Sequence, residues 1–580
     1  MNKILLNHVG FNCHSFKRFL VTEPETMTFE IESLVHCVHT CVYKGELRQL
    51  NEKVYEGDFS AVTEPCDYRI KVGSEYSRYF VITDNAYDIA ERLMLQYFTL
   101  QRCGSPLGWA GLCHQDDGYI TETGEKADFR GGYHQSSDLR KSPGGVSIGV
   151  IGMLRWALQK HPMWDNGCIG DEIRWACDYY MKVVSPSGCI YNTLNAPLGW
   201  SGRLFYASGA PECCQWNNCI ILALGAKYFE DKDKPYSDRL LSYAKRIWAY
   251  LTRPNREKKI YRHPDVLPRG MDADNFYSAS FKDSSSDLCS RLAAAVAIYQ
   301  LESGKEWEDE IISAANKLST RLVDGEDNPV AGAIRMDDDS LKLMQCGGSY
   351  GWTGSGFGAL LDAWCALPFC EYAPDWMEAL KKNAELRMRF CNMNPWHYPA
   401  SIGSEENMAQ PTGHPAPGKP AETIGSGFAN SPELGYVTNA SGKKVSCKWK
   451  EIHSCALGAE NAIYLARLGR ILRNDEYLTF AQHQWDCVVG ANEFDQSSIE
   501  CVGFNQPCGP VFGQFFPSTP KLPGAVLHTG AHEKNRFSET NGEYDMPAVG
   551  MLMWAAAELD NDVLYAEKLM HEQYDATWKR

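Results

Sequence analysis

The side chains able to do chemistry are scattered along the chain. The 580-residue chain holds 22 cysteines, whose close pairs are Cys37/Cys41 and the adjacent Cys213/Cys214. Nowhere do two C-x-x-C pairs bracket a zinc-like interval, which argues against a thiolate metal site. Cys177, Cys289 and Cys455 stand singly in apolar helical patterns, as reduced structural thiols do. The clusters Gln115-Asp116-Asp117 and Asp337-Asp338-Asp339 offer oxygens to a hard cation but lack the glycine and closing glutamate of an EF-hand loop. The run GGSYGWTGSGFG at 347–358 could form an anion nest, although such runs are more often plain turns. Isolated loop carboxylates such as Asp138 and Glu539 read, taken alone, as caps or solvated groups.

These residues sit in a chain with two textures. From Ile4 to about Asp84, short alternating runs (RFLVTE, FEIESL, CDYRIKV, SRYFVIT) separated by turn residues predict a β-sandwich of about 80 residues. After Asn85 the apolar residues recur at helical spacing, as in AYDIAERLMLQYFTLQRCG, VSIGVIGMLRWALQ and MPAVGMLMWAAAEL, which predicts ten or more helices. An even number of helices, about twelve, with no strands between them suggests inner and outer helices paired into an α/α toroid. No period of 30 to 45 residues supports a solenoid. The segments 392–450 and 490–545 exceed ordinary loop length and are expected to carry a site. Net charge is -16, and no basic run supplies the footprint of a nucleic-acid binder. No stretch reaches the ~18 to 20 apolar residues of a membrane span, and MNKILLNHVGFNCHSFKRF reads as a first strand rather than a secretion signal. A cytoplasmic location is expected.

Several segments resemble, in order and across nearly the whole chain, the family 9 glycoside hydrolases. LNHVGFNCHSFKRFLV is similar to the strand opening the immunoglobulin-like domain that precedes many of them. YDIAERLMLQYFTLQRCG and GDEIRWACDYYMKVVSPSGCIYN resemble the first and third helices of their catalytic domain. SSSDLCSRLAAAVAIYQ and DEYLTFAQHQWDCVVGAN match later helices, and SETNGEYDMPAVGML is similar to the segment holding the catalytic acid. The resemblance implies a mainly α protein: an (α/α)6 barrel over 85–580, preceded by an all-β sandwich over 1–84.

The resemblance also implies inverting hydrolysis of a β-glycosidic bond. That reaction needs one carboxylic acid to protonate the leaving oxygen and one carboxylate to activate water on the opposite sugar face, roughly 6.5 to 9.5 Å apart. The family's acid falls on Glu539, with Glu543 as the nearby rival. Its base loop reads GGYHQSSDLRKSPGGVSIGVIG, where the second family aspartate is Asp138 and the first is replaced by Gln135. A glutamine can position water but cannot take its proton at neutral pH, so Asp138 must do so alone. Ser142/Pro143 and Asp545/Pro547 look like helix caps and first turns, which places both carboxylates in loops ahead of helix N-termini. The His-His-Arg segment of the family's cellulases is missing, its place taken by ECVGFNQPCGPVFGQFFPS. A short oligosaccharide or aryl glycoside is therefore the expected substrate, as in the intracellular exo-acting β-glucosidase and β-glucosaminidase branch.

Sugars stack on aromatic rings and hydrogen-bond to their surroundings, so Tyr133, His134, Trp200, Trp216 and Trp352, with Gln135 and Arg536, are the expected binding residues. His453, His528 and His532 are polar residues of the same late region. Any one of these aromatic residues is more often core than platform, and a satisfied structural histidine is the default reading of each of these histidines. No cofactor is required, Ca²⁺ has no assignable loop, and no nucleic-acid or membrane partner is expected. Homodimerisation is left open. Two alternatives share the scaffold: a phosphorylase or other transferase, since phosphate needs no general base, and a sugar-binding protein whose base has decayed.

Overall fold

A computed structural model describes residues 4–120, 124–135, 139, 141–160, 167–191, 204–205, 212–253, 284–344, 357–409, 425, 428–506, 522–526 and 545–560. By internal contacts the chain forms two compact units, one of Met1–Tyr97, Phe390–Pro399 and His453–Arg580, the other of Phe98–Arg389 and Ala400–Ile452.

The first unit opens with two facing sheets. One runs β1 (Ile4–Leu5), β3 (Arg18–Thr22), β7 (Val54–Asp58), β6 (Arg48–Gln49); the other runs β2 (Phe11–Asn12), β10 (Phe80–Thr83), β8 (Cys66–Val72), β4 (Thr28–Val35), β5 (Val38–Glu46), with β9 (Glu75–Tyr76) on β8. In β4 the residues Phe29, Ile31 and Ser33 turn inward, and in β8 Tyr68, Ile70 and Val72 do, because strand side chains alternate between faces. The core is aromatic: Phe29 meets Phe19 edge-on at 4.9 Å, and Phe11 meets Phe59 and Phe80 at 5.2 and 5.6 Å. The expected sandwich is present.

The helices divide by burial pattern. α3 (Cys168–Lys182), α5 (Lys234–Thr252) and α7 (Lys305–Ser319) are amphipathic; α7 buries Trp307, Ile311, Ala314, Ala315 and Leu318, a single stripe at helical spacing. By contrast α2 (Pro143–Gln159), α6 (Ser285–Tyr299) and α8 (Phe357–Ala366) are buried nearly all round. In the second unit α4 (Glu212–Phe229) packs on α2, α5 and α6, so buried helices neighbour one another and each carries an amphipathic partner outside. α9 (Ala373–Cys391) follows α8. α1 (Asp88–Leu100) leads out of the sandwich, and in the first unit α11 (Cys455–Leu472) packs on α12 (Asp475–Val488) and α13 (Met546–Glu558). Among the described residues no helix is long and apolar enough to cross a membrane.

One expectation is corrected. Strands do occur among the helices: β11 (Tyr119–Ile120) pairs in parallel with β12 (Leu204–Phe205), and β13 (Ala400–Ser404), β14 (Glu433–Thr438) and β15 (Lys444–Glu451) form an antiparallel sheet, with the short helix α10 (Glu405–Met408) after β13. Val445 and Cys447 are buried on alternate positions of β15, a period-2 pattern inside a segment expected to be loop. Gly442, at φ +82, supplies the left-handed residue of the β14–β15 turn.

Candidate active site

The loop expected to carry the base is held on both sides of Asp138, which itself lies outside the described residues. Upstream, Gly132 takes φ +70, and a Cβ there would stand 2.6 Å from the Tyr179 ring, so only glycine fits. Its carbonyl accepts from Cys103 N (2.9 Å) and Trp175 Nε1 (3.1 Å). Tyr133 is fully buried, and its hydroxyl donates to Glu172 Oε1 at 2.8 Å. Glu172, buried on α3, also accepts from Thr99 Oγ1 and from Arg102 Nε and Nη2 at 2.5, 3.0 and 2.9 Å. The next residue, His134, gives its N–H to the Gln101 carbonyl.

Downstream, Lys141 and Asp117 form an ion pair at 2.7 Å with both side chains fully buried, and Lys141 Nζ also donates to the Phe129 carbonyl at 2.7 Å. Ser142 caps α2 by accepting from Gly145 N, Pro143 fills the first turn, and Tyr180 donates to the Pro143 carbonyl. Gln135 is half-buried against this turn: a Cβ on Gly145 would come 2.5 Å from its Oε1. So the glutamine lies at the N-terminal end of a buried helix, as expected.

Neighbouring buried helices of the second unit run the same way. Asn217, early in α4, donates to Ser147, early in α2 (3.0 Å), while Trp216 Nε1 donates to Asp287, early in α6 (2.9 Å). Their N-termini therefore gather at one end, where the Gln135 loop is. The first unit repeats the arrangement on its own: Ser454 caps α11 and Asp545 caps α13. Cys455 is close enough to Asp545 to feel its charge, although burial is the main cause that pushes its thiol up to about 12. Tyr398 and His453 stack at 3.9 Å beside a cavity of about 20 Å³, which also touches Ser454 and Ser498 and has room for one water.

The predicted binding residues fare differently. Tyr133 and His134 are buried in side-chain networks, and Trp216 is a buried residue of α4, edge-on to Trp248 at 5.1 Å, rather than a loop platform. Glu539, Glu543, Trp200, Trp352, Arg536, His528 and His532 lie outside the described residues, as does the 347–358 glycine run except for its last two residues in α8. Glu172, Lys141 and Asp117 were not singled out as site residues by the sequence, since a buried partner 24 or more residues away leaves no local mark.

His134 belongs to a group that the sequence reading did not find. Cys103, Cys113, His114 and His134 are all buried, and one ligand atom from each falls within 4.8 Å of all the others. The sulfurs are 3.9 Å apart, Cys103 Sγ is 3.4 Å from His114 Nδ1, and Cys113 Sγ is 3.3 Å from His134 Nε2. Tetrahedral zinc with its usual bond lengths would set these edges at about 3.5 to 3.8 Å. The Cys113 thiol is held down to about 7, first by its hydrogen bond with Cys103 and also by the Gly104 N–H, which favours the thiolate that a metal needs. This donor set fits zinc. A second group, Glu56, His397 and His483, does not fit a cation: both Glu56 oxygens are taken, by Arg18 at 2.9 Å and Arg48 at 2.7 Å, and their charges face the imidazoles.

Residues 87–553 match glycosyl hydrolase family 9, and residues 1–77 match the cellulase N-terminal ig-like domain. The chain belongs to glycosyl hydrolase family 9, with that family's (α/α)6 barrel after an immunoglobulin-like domain. A cellodextrinase from Butyrivibrio fibrisolvens is 24% identical over 365 residues, 57% of this chain and 63% of that protein, so the match spans less than two thirds of the relative. Among solved structures, a metagenome-derived glycoside hydrolase family 9 endoglucanase superposes with a TM-score of 0.67 at 17% identity, over 96% of this chain and 99% of that one. A single mutant of a thermostable endoglucanase from Alicyclobacillus acidocaldarius gives 0.65 at 15%, over the same shares.

Proposed function

We propose that this family 9 chain is a β-glycosidase that cleaves short oligosaccharides or aryl glycosides from one end with inversion, Glu539 acting as general acid and Asp138 as general base. The observation that carries the reading is the family match over 87–553, which contains both carboxylates. Similarity to a cellodextrinase supports a short substrate.

In this reading Glu539 protonates the departing glycosidic oxygen while Asp138 takes a proton from water attacking the anomeric carbon from the other face. Gln135 orients that water through its amide. Tyr133 and His134 hold the loop from behind, and sugar contacts fall to Trp200, Trp352 and Arg536. Cys103, Cys113, His114 and His134 would hold a zinc ion, which supplies structural cross-linking of the loop. The domain boundary is placed at 84/85, and the described cysteines, none of them in a disulfide, support a reducing compartment such as the cytoplasm.

Glu539→Gln should lower turnover of natural oligosaccharides by about 10²- to 10⁴-fold; activity within a few-fold of the parent would remove Glu539 as the acid. Gln135 keeps a phosphorylase reading in view, so turnover is measured with and without phosphate. A rate indifferent to phosphate, with the inverted anomer as first product by NMR, supports hydrolysis.

A further inference from the structure

We propose that a cavity between two amphipathic helices of the second unit is a glycan-binding site for a neutral saccharide chain; the ligand class rests on the glycosidase reading above. The site is a cavity of about 580 Å³ between α3 and α5, lined by Gln115, Trp175, Asp178, Lys182, Arg239 and Tyr243, among others. That volume lies within the ~300 to 1,000 Å³ of small-molecule sites.

Its construction follows from helix periodicity. Trp175, Asp178 and Lys182 recur at three- and four-residue steps on α3, and Arg239 and Tyr243 are four apart on α5, so each set forms one stripe. The two helices are tied by the Tyr236 hydroxyl on Asp178 (2.7 Å) and by Arg174 on Asp233 (2.8 Å). Both rings are fixed before any ligand arrives. Trp175 donates to the Gly132 carbonyl with the Arg102 guanidinium 5.0 Å from its ring, and the Arg246 guanidinium lies 4.3 Å from the Tyr243 ring. An aromatic surface already held in place binds with little loss of side-chain freedom.

The polar lining mixes signs. Lys182 is held by Asp128 and the Arg130 carbonyl, each at 3.1 Å, Asp178 presents a carboxylate, and the exposed Arg239 adds a guanidinium. Donors and acceptors around aromatic rings suit a hydroxyl-rich neutral ligand; an anion would meet Asp178. Through Trp175 and Gly132 the cavity also touches the loop whose Asp138 follows six residues later.

The test is native electrophoresis of the full chain in gels with and without hydroxyethyl cellulose, beside turnover of an aryl β-glycoside, which reads catalysis without the polymer. The parent should be slowed by the polymer. Tyr243→Ala with Arg239→Ala should weaken that retention about tenfold, and the surface change Arg239→Ala alone should weaken it in part, with aryl-glycoside turnover unchanged in both. A parent whose mobility ignores the polymer, or variants retained as strongly as the parent, overturns the proposal. Absent turnover with polymer retention intact would instead count against the glycosidase reading alone.

Discussion

Lys141 and Asp117 are both fully buried, and a charge removed from water is tolerated only with its partner in place. Lys141→Met would strand the Asp117 carboxylate and should lower stability by about 3–5 kcal/mol. Adding Asp117→Asn should recover part of that loss, and denaturant titration of the parent, the single variant and the double variant separates the stranded charge from lost packing. If Lys141→Met cost less than about 1 kcal/mol, the pair would not anchor the loop. The Cys103, Cys113, His114 and His134 group makes an independent prediction. The purified chain should carry zinc by elemental analysis, and removing it with a chelator should lower the melting temperature, with less effect in a Cys103→Ser variant that has already lost the ion. A parent with no bound zinc and no response to chelator would dismiss the site.

The 390–399 segment and helix α12 bury His397, His483 and Asp486 in the first unit. Burial is the first cause that pushes both histidines well below the usual imidazole range; Arg18 adds to it, and the rings stack at 5.0 Å. They stay neutral in the fold while the unfolded chain takes up protons near pH 6.5. Their stabilising contribution is therefore whole above about pH 6.5 and lost as the pH falls below it. Asp486 runs in the opposite direction. Burial raises it to about 7 despite hydrogen bonds from Gln482 and Asn7, so the fold keeps a proton that the unfolded carboxyl gives up near 3.9. That contribution shrinks as the pH rises from about 4 through 7. Asp486→Asn should accordingly raise stability more at pH 8 than at pH 5, and His397→Asn, at a position with φ +60 that asparagine tolerates, should flatten the loss between pH 7 and 5. Parallel melts at the three pH values check both; an Asp486→Asn effect that ignores pH would refute the raised carboxyl.

At the scale of the molecule, the sandwich does not stand apart from the helices of its own unit. His8 N donates to the Val489 carbonyl (2.9 Å), Asn7 to Asp486 (2.9 Å), and Asn12 to the Leu559 carbonyl (3.2 Å), from β2 and the turn that leads into it. A chain starting at residue 85 would leave those buried acceptors unmatched and uncover the apolar faces they join. It should be insoluble, or should melt well below the full chain, even though 87–553 contains the whole family 9 match. An 85–580 chain that melts with the parent would show the sandwich to be an independent appendage.

Periodicity alone settled the two textures: Phe29/Ile31/Ser33 alternate, Trp307/Ile311/Ala314/Leu318 step helically, and Ser142/Pro143 and Asp545/Pro547 mark helix starts, because caps and face alternation are local chemistry. The order of such segments also carried the family. Only the tertiary structure decided what stands behind the loop around Gln135. Cys103, Cys113 with His114, and His134 are separated by nine and nineteen residues, intervals that match no zinc pattern yet meet within 4.8 Å. Glu172 reaches Tyr133 from 39 residues away, and Lys141 reaches Asp117 from 24. The hairpin of β14 and β15 hid in a long segment, and Trp216, read as a loop platform, proved to be core. Such pairings depend on where helices and loops come to rest in space, and that is set by packing across the fold rather than by neighbours along the chain.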